Sequence, residues 1–150
     1  MTAFTEPAAS RTSLTTTALN SLASATYVNA GTIDLSAIDP DDVVIEVEVT
    51  PGTVSSLKQV SVFVQVSFDN SVFSTGPTSG TTTTDEPNLY FIGAVPCNTN
   101  STLQRKAFSV LANIGFVPPY LKVICKNETG AALAASGHAV NYTTYTGLGT

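Results

Sequence analysis

The sequence predicts an all-β protein, an antiparallel β-sandwich of jelly-roll type carrying an extended N-terminal arm. Three observations predict it. Two segments, Val43 to Thr50 and Val60 to Phe68, alternate between apolar and polar residues, and a period of two marks a strand with one buried face. Roughly seven or eight short strand-like segments follow one another between turn signals, with no long amphipathic helix among them. The residues opposite the apolar face are mainly Ser, Thr and Gln, with few charges, a surface suited to permanent contact with other subunits.

Taken in order, residues 1–22 are rich in Thr, Ser and Ala and show little period. They read as an extended arm, mobile over about the first 20 residues and ordered only on a partner. A helix at Leu14 to Leu22 is opposed by its threonines. The sandwich domain is expected over 23–150. Thr26 to Val28 and Thr32 to Leu35 form a first, bent strand around Asn29-Ala30-Gly31. Asp39-Pro40-Asp41-Asp42 is a turn before the first strong strand, in which Val43, Ile45, Val47 and Val49 share a face. Val44 is an apolar exception on the other. Pro51-Gly52 opens a loop to about Lys58. Val60, Val62, Val64, Val66 and Phe68 share the next apolar face, with Phe63 as the exception.

Asp69-Asn70 is a tight turn leading to a short return strand, Ser71 to Ser74. Thr75 to Pro87 reads as a long unconstrained loop and a natural contact site. Leu89 to Val95 is apolar on both faces and is expected to be a central strand, buried on both sides or at an interface. Within Thr102 to Ala112, Phe108 and Val110 are core candidates. Tyr120 to Cys125 alternates again, KNETG at Lys126 to Gly130 is a turn, and Ala131 to Ser136 fits a helical turn or a strand. His138 to Thr146 is the last strand. The expected core comprises Ile45, Val47, Val62, Val64, Val66, Phe91 and Val123. Lys122, Lys126, Glu46 and Glu48 are candidates to protect sheet edges.

A chain of 150 residues is long enough for one domain, burying about 70% of its unfolded surface. Its 43% hydrophobic and 11% charged residues exclude intrinsic disorder, which needs the opposite balance. No apolar run approaches the roughly 20 residues of a spanning helix, so no membrane association is expected. Net charge is −5, and Arg11, Lys58, Arg105, Lys106, Lys122 and Lys126 are scattered. Without a basic stripe, no nucleic-acid partner is expected. The N-terminus carries neither a basic nor an apolar signal region, so no secretory leader is expected. Cys97 and Cys125 both lie in or beside strand-like segments, and Cys125, on a face with Leu121 and Val123, reads as a buried thiol. A disulfide between them requires their strands to be neighbours.

No catalytic, metal or cofactor site emerges. His138 is the only histidine, and Ser136-Gly137-His138 is not a nucleophile elbow. Asp39, Asp41 and Asp42 lack calcium-loop spacing and read as turn residues. Asp85-Glu86 reads as solvated loop charge. Asn100, Asn127 and Asn141 begin N-x-S/T triplets, which arise by chance in a threonine-rich chain.

The runs SFDNSVFSTGP, TDEPNLYFIGAVP and VICKNETGAALAASG resemble local phrases of small β-rich accessory proteins of tailed-bacteriophage virions, over residues 40–147. That resemblance implies a non-enzymatic structural component located in the virion. The first expectation is a capsid decoration or cement protein, a homotrimer bound to the major capsid protein. A tail or fibre-adaptor subunit contacting other virion proteins is the alternative. A carbohydrate-binding sandwich at a receptor-binding tip is a further reading. The resemblance maps no site residue.

Overall fold

The computed structural model describes residues 10–55 and 57–146. It is an antiparallel β-sandwich. The strands are β1 (Thr12–Thr15), β2 (Tyr27–Asp34), β3 (Asp42–Val49), β4 (Gln59–Ser67), β5 (Ser79–Gly80), β6 (Tyr90–Pro96), β7 (Gln104–Ser109), β8 (Tyr120–Asn127) and β9 (Ala139–Tyr145). One sheet has the order β1-β9-β3-β7 and the other β5-β2-β8-β4-β6. The single α-helix among the described residues, α1 (Val110–Ile114), follows β7 directly. Ser109 caps it by accepting a hydrogen bond from the Ala112 amide, and Gly115 closes it in the left-handed conformation.

The alternation read from the sequence builds the core. Val43, Ile45, Val47 and Val49 of β3 are fully buried, as are Val60, Val62 and Val64 of β4 and Leu121, Val123 and Cys125 of β8. Register explains the match: Val62 lies opposite Cys125, Val64 opposite Val123 and Val66 opposite Leu121, so every inward residue meets an inward residue. At Gly93 of β6 the backbone comes close to Phe108 of β7 in the other sheet. A Cβ there would come 2.5 Å from the Phe108 ring, and its φ of +142° suits glycine alone.

The N-terminal segment is not a separate arm where it is described. Thr12–Thr15 pairs with β9, Leu19 is fully buried, and Leu22 is 9% exposed. The expectation of a mobile arm through residue 20 is therefore wrong from residue 10 onward, and residues 1–9 lie outside the described part. Threonine-rich sequence hides this strand because only Leu14, Leu19 and Leu22 carry its apolar signal, at no regular period. The bent first strand is a single strand, β2, with a bulge between Asn29 and Gly31. Deleting residues 1–22 is expected to lower stability by about 3–5 kcal/mol, since two core leucines go with the edge strand. Thermal melting of the truncated chain checks this.

Other expectations are corrected. Leu89 to Val95 is not central: β6 ends the five-stranded sheet. Its second apolar face is only partly covered, and Phe91, expected in the core, is 54% exposed. Lys122 and Lys126 lie on β8, and Glu46 and Glu48 on β3, all inner strands. Hence none of the four guards an edge. Long charged residues on inner strands instead pair across the outer faces: Glu48 meets Arg105 at 3.1 Å and also Arg11, which bonds Glu46 too. Edge protection falls to Arg105 and Lys106 on β7. The Thr75 to Pro87 loop is also more tied than expected, because Ser79 and Gly80 pair with Val28 and Tyr27.

Candidate functional site

The outer face of the five-stranded sheet carries the most developed chemistry among the described residues. A period of two sends Ser61, Phe63, Gln65 and Ser67 of β4 outward, yet all four are buried. The segment from Ser74 to Leu89 overlies Phe63 and Gln65, while Ser61 bonds Glu128 and Ser67 bonds Asp69. Gln65 donates from Nε2 to the Ser74 carbonyl at 2.8 Å and to that of Gly76 at 3.3 Å. Leu89 joins Tyr27, Phe63 and Ile124 in a second, smaller apolar cluster. This overlying segment ends in a 3-10 turn, Glu86–Asn88.

Glu86 fastens that turn to the sheet. Its Oε2 accepts from Lys126 Nζ at 2.6 Å and from the Tyr27 hydroxyl. Lys126 also lies 3.3 Å from Glu128 Oε1 and 4.9 Å from the centre of the Tyr27 ring. Glu128 Oε2 accepts from the Ser61 hydroxyl and, at 3.0 Å, from Gln59 Nε2. One ammonium thus sits between two carboxylates, all three side chains at most 31% exposed. Burial pushes both carboxyls up, but hydrogen bonds outweigh it and hold them below the ordinary value of 4.5: Lys126 and Tyr27 act on Glu86, Ser61 and Gln59 on Glu128. Burial pulls Lys126 down, yet its bonds to Glu86 and Tyr27 leave it raised. Burial, then the bond to Glu86, raises Tyr27.

The sign for stability follows. A carboxyl depressed on folding stabilises above its unfolded value and loses that contribution as pH falls through its folded value. A raised Lys or Tyr stabilises below its unfolded value, 10.5 or 10.0 here, and loses it at higher pH. The urea midpoint is expected to stay level in the neutral range, fall below 4.5 and fall again above 10. Glu86→Gln should flatten part of the acid limb.

Two hollows flank the overlying turn and share Pro87 and Leu89. One, of 310 Å³, is lined by Ser61, Phe63, Phe91, Glu86 and Glu128 as well. The other, of 490 Å³, adds Ser74, Thr75, Asn88 and Tyr90. Phe91 stands edge-on to Phe63, with ring centres 5.4 Å apart.

Comparison with known proteins returns no match: neither a protein family, nor a curated protein, nor a solved structure is similar to this chain.

The remaining residues singled out in the sequence are structural. His138 Nδ1 accepts from the Thr50 amide at 3.2 Å, which leaves Nε2 to donate to the Ala134 carbonyl at 2.9 Å. Asp42 accepts from Ser109 Oγ and the Leu111 amide at the start of α1. No group of potential metal ligands occurs among the described residues, and no helix there is long and apolar enough to cross a membrane. Asn127 and Asn141 are buried in the fold. Glu86 is not solvated loop charge, as its sequence setting implied. Its partners lie 40 and 59 positions away, beyond the reach of any local pattern. Outward alternation of Lys126 and Glu128 at the end of β8 was the one available signal.

Cys97 and Cys125 are free and buried. β4 lies between β6 and β8, which keeps the two thiols off neighbouring strands. Burial pushes Cys97 up to about 11 and Cys125 to about 12. A thiol reagent at neutral pH is expected to label neither in the native protein and both after unfolding.

Proposed function

We propose that this protein is a non-enzymatic structural component of a bacteriophage virion, a decoration or cement subunit that forms a closed ring of identical copies on the outer capsid surface. The observation that carries this reading is the exposure of large apolar side chains at one end of the sandwich. Phe68 is 72% exposed and Val72 73%. Phe68 stacks on Phe116 at 6.3 Å, and Tyr90 meets the same ring edge-on at 5.9 Å. An aromatic cluster of this kind is what an assembly subunit conceals, and repeated copies sum modest contacts.

The strand order supports the reading by analogy. With the two-residue β5 set aside, the sheets run β1-β9-β3-β7 and β2-β8-β4-β6, which we read as a jelly roll, an architecture used by viral capsid and lectin domains. The carboxylates support a non-catalytic role. Acid–base hydrolysis sets two carboxyls apart in pKa, whereas Glu86 and Glu128 are both shifted down. His138 spends both ring nitrogens on backbone groups.

Sedimentation of the purified protein, followed by binding to undecorated capsids, tests the proposal. The expected result is a trimer at micromolar concentration that binds saturably and in many copies per particle. A strict monomer that leaves capsids bare would overturn it, and binding in only a few copies at one vertex would replace cement by tail adaptor.

A further inference from the structure

We propose that the trough across Pro87 and Leu89 is a binding site for a neutral oligosaccharide. The inference is independent of the assembly reading, and the trough adjoins that aromatic cluster through Tyr90.

The floor combines the two elements that sugar recognition needs. Pyranose rings present apolar C–H faces, which settle on exposed aromatic rings. Phe91 supplies such a ring, and its edge-on contact with Phe63 fixes its tilt. Sugars also present several hydroxyls, and carboxylate oxygens are the strongest acceptors for them. Glu86 and Glu128 line the same hollow, and their geometry is set before any ligand arrives. Lys126, Tyr27, Ser61 and Gln59 hold the two carboxylates from the sheet side. Glu86 Oε1 takes no part in these bonds and is available to a hydroxyl. Little side-chain ordering is left for the ligand to impose.

Charge selects the ligand class. The cluster carries two carboxylates against one ammonium, and Lys126 is engaged by both. An anionic sugar finds no unpaired cation here and meets net negative charge. The place of a cationic ligand is already taken by Lys126, seated against the Tyr27 ring. A neutral polyol remains. Size argues for more than one ring: the 310 Å³ hollow alone is at the lower end of the ~300–1,000 Å³ range of small-ligand sites. The adjoining 490 Å³ hollow, with Ser74, Thr75 and Asn88, extends the trough with hydroxyl and amide groups.

Titration calorimetry against a panel of neutral hexasaccharides of glucose, galactose and mannose, with oligogalacturonate as the anionic control, tests the site. At least one neutral oligosaccharide is expected to bind saturably at millimolar concentration or tighter, and oligogalacturonate is not. Phe91→Ala should weaken that binding about tenfold, while Phe91→Tyr, which keeps the ring, should retain it. Phe91 is exposed on an edge strand, and a melting curve for each variant verifies folding. Absence of saturable binding across the neutral panel, stronger binding of the uronate, or unchanged affinity in a folded Phe91→Ala would each overturn the proposal.

Discussion

Val64→Asp is expected to lower the unfolding free energy by about 3–5 kcal/mol, the largest effect of any single substitution considered. Val64 is fully buried in the middle of β4. It faces Val123 across one ladder and Tyr90 across the other. Among the described residues, the core cluster that surrounds it is apolar throughout. The group must stay charged without a partner, protonate at a cost, or open the sandwich. Small domains are stable by only about 5–15 kcal/mol, so the variant should have a large unfolded population at moderate urea. A urea denaturation curve reads this directly, and a midpoint within experimental scatter of the parent would refute the assignment of this face to the core.

Asn127→Ala should cost about 3 kcal/mol, more than its size implies. Asn127 is fully buried at the end of β8. Its Nδ2 donates to the Leu22 carbonyl at 2.8 Å and to the Ala131 carbonyl at 2.7 Å. Its Oδ1 accepts from the Thr129 amide at 3.0 Å and from the Thr129 hydroxyl at 2.7 Å. One side chain therefore ties the N-terminal segment, the turn after β8 and the segment leading to β9. Truncation leaves the Thr129 amide without its partner and takes one of two bonds from each of the Leu22 and Ala131 carbonyls, and a buried group left unsatisfied costs about 1–3 kcal/mol. Asn127→Asp is a sharper test. It keeps the acceptor but sets a carboxylate oxygen against the two carbonyls, so it should be at least as destabilising as alanine. Thermal melting of both variants measures the effect. If aspartate were tolerated, the hydrogen-bond assignment of Asn127 would be wrong.

How much of this was legible in the sequence depends on where the partners of each residue lie. Val43 to Val49 and Val60 to Val66 announce themselves, because alternation is a local property and the core selects it directly. Leu19 and Leu22 do not, since two leucines in irregular chain carry no period and are core residues only because the Ala131–Ala134 stretch closes over them: the Leu133 amide donates to the Leu22 carbonyl and the Ser21 amide to that of Ala134. Phe91 fails in the opposite sense. An apolar residue in an apolar run reads as buried, but only the edge position of β6 decides that its ring is left open. The cluster of Tyr27, Glu86, Lys126 and Glu128 is assembled from three separate stretches. Glu86 reads as solvated loop charge, Lys126 as edge protection and Glu128 as part of a turn until the sheet order places them together. The apolar pattern thus foretells the layers, while the chemistry on the outer face depends on strand order, which no short pattern encodes.

The strand order has a consequence for how the molecule comes into being. β9, the last strand among the described residues, lies between β1 and β3 in the interior of its sheet, with Tyr142 opposite both Thr12 and Ile45. Until β9 emerges from the ribosome, β1 has no partner in its sheet and the Val43–Val49 strand keeps one ladder open. A nascent chain of this kind cannot lock its architecture progressively from the N-terminus. Productive folding waits for β9, and such distant pairings place refolding in the millisecond-to-second regime of all-β domains. Timing, as well as stability, is therefore controlled by β9.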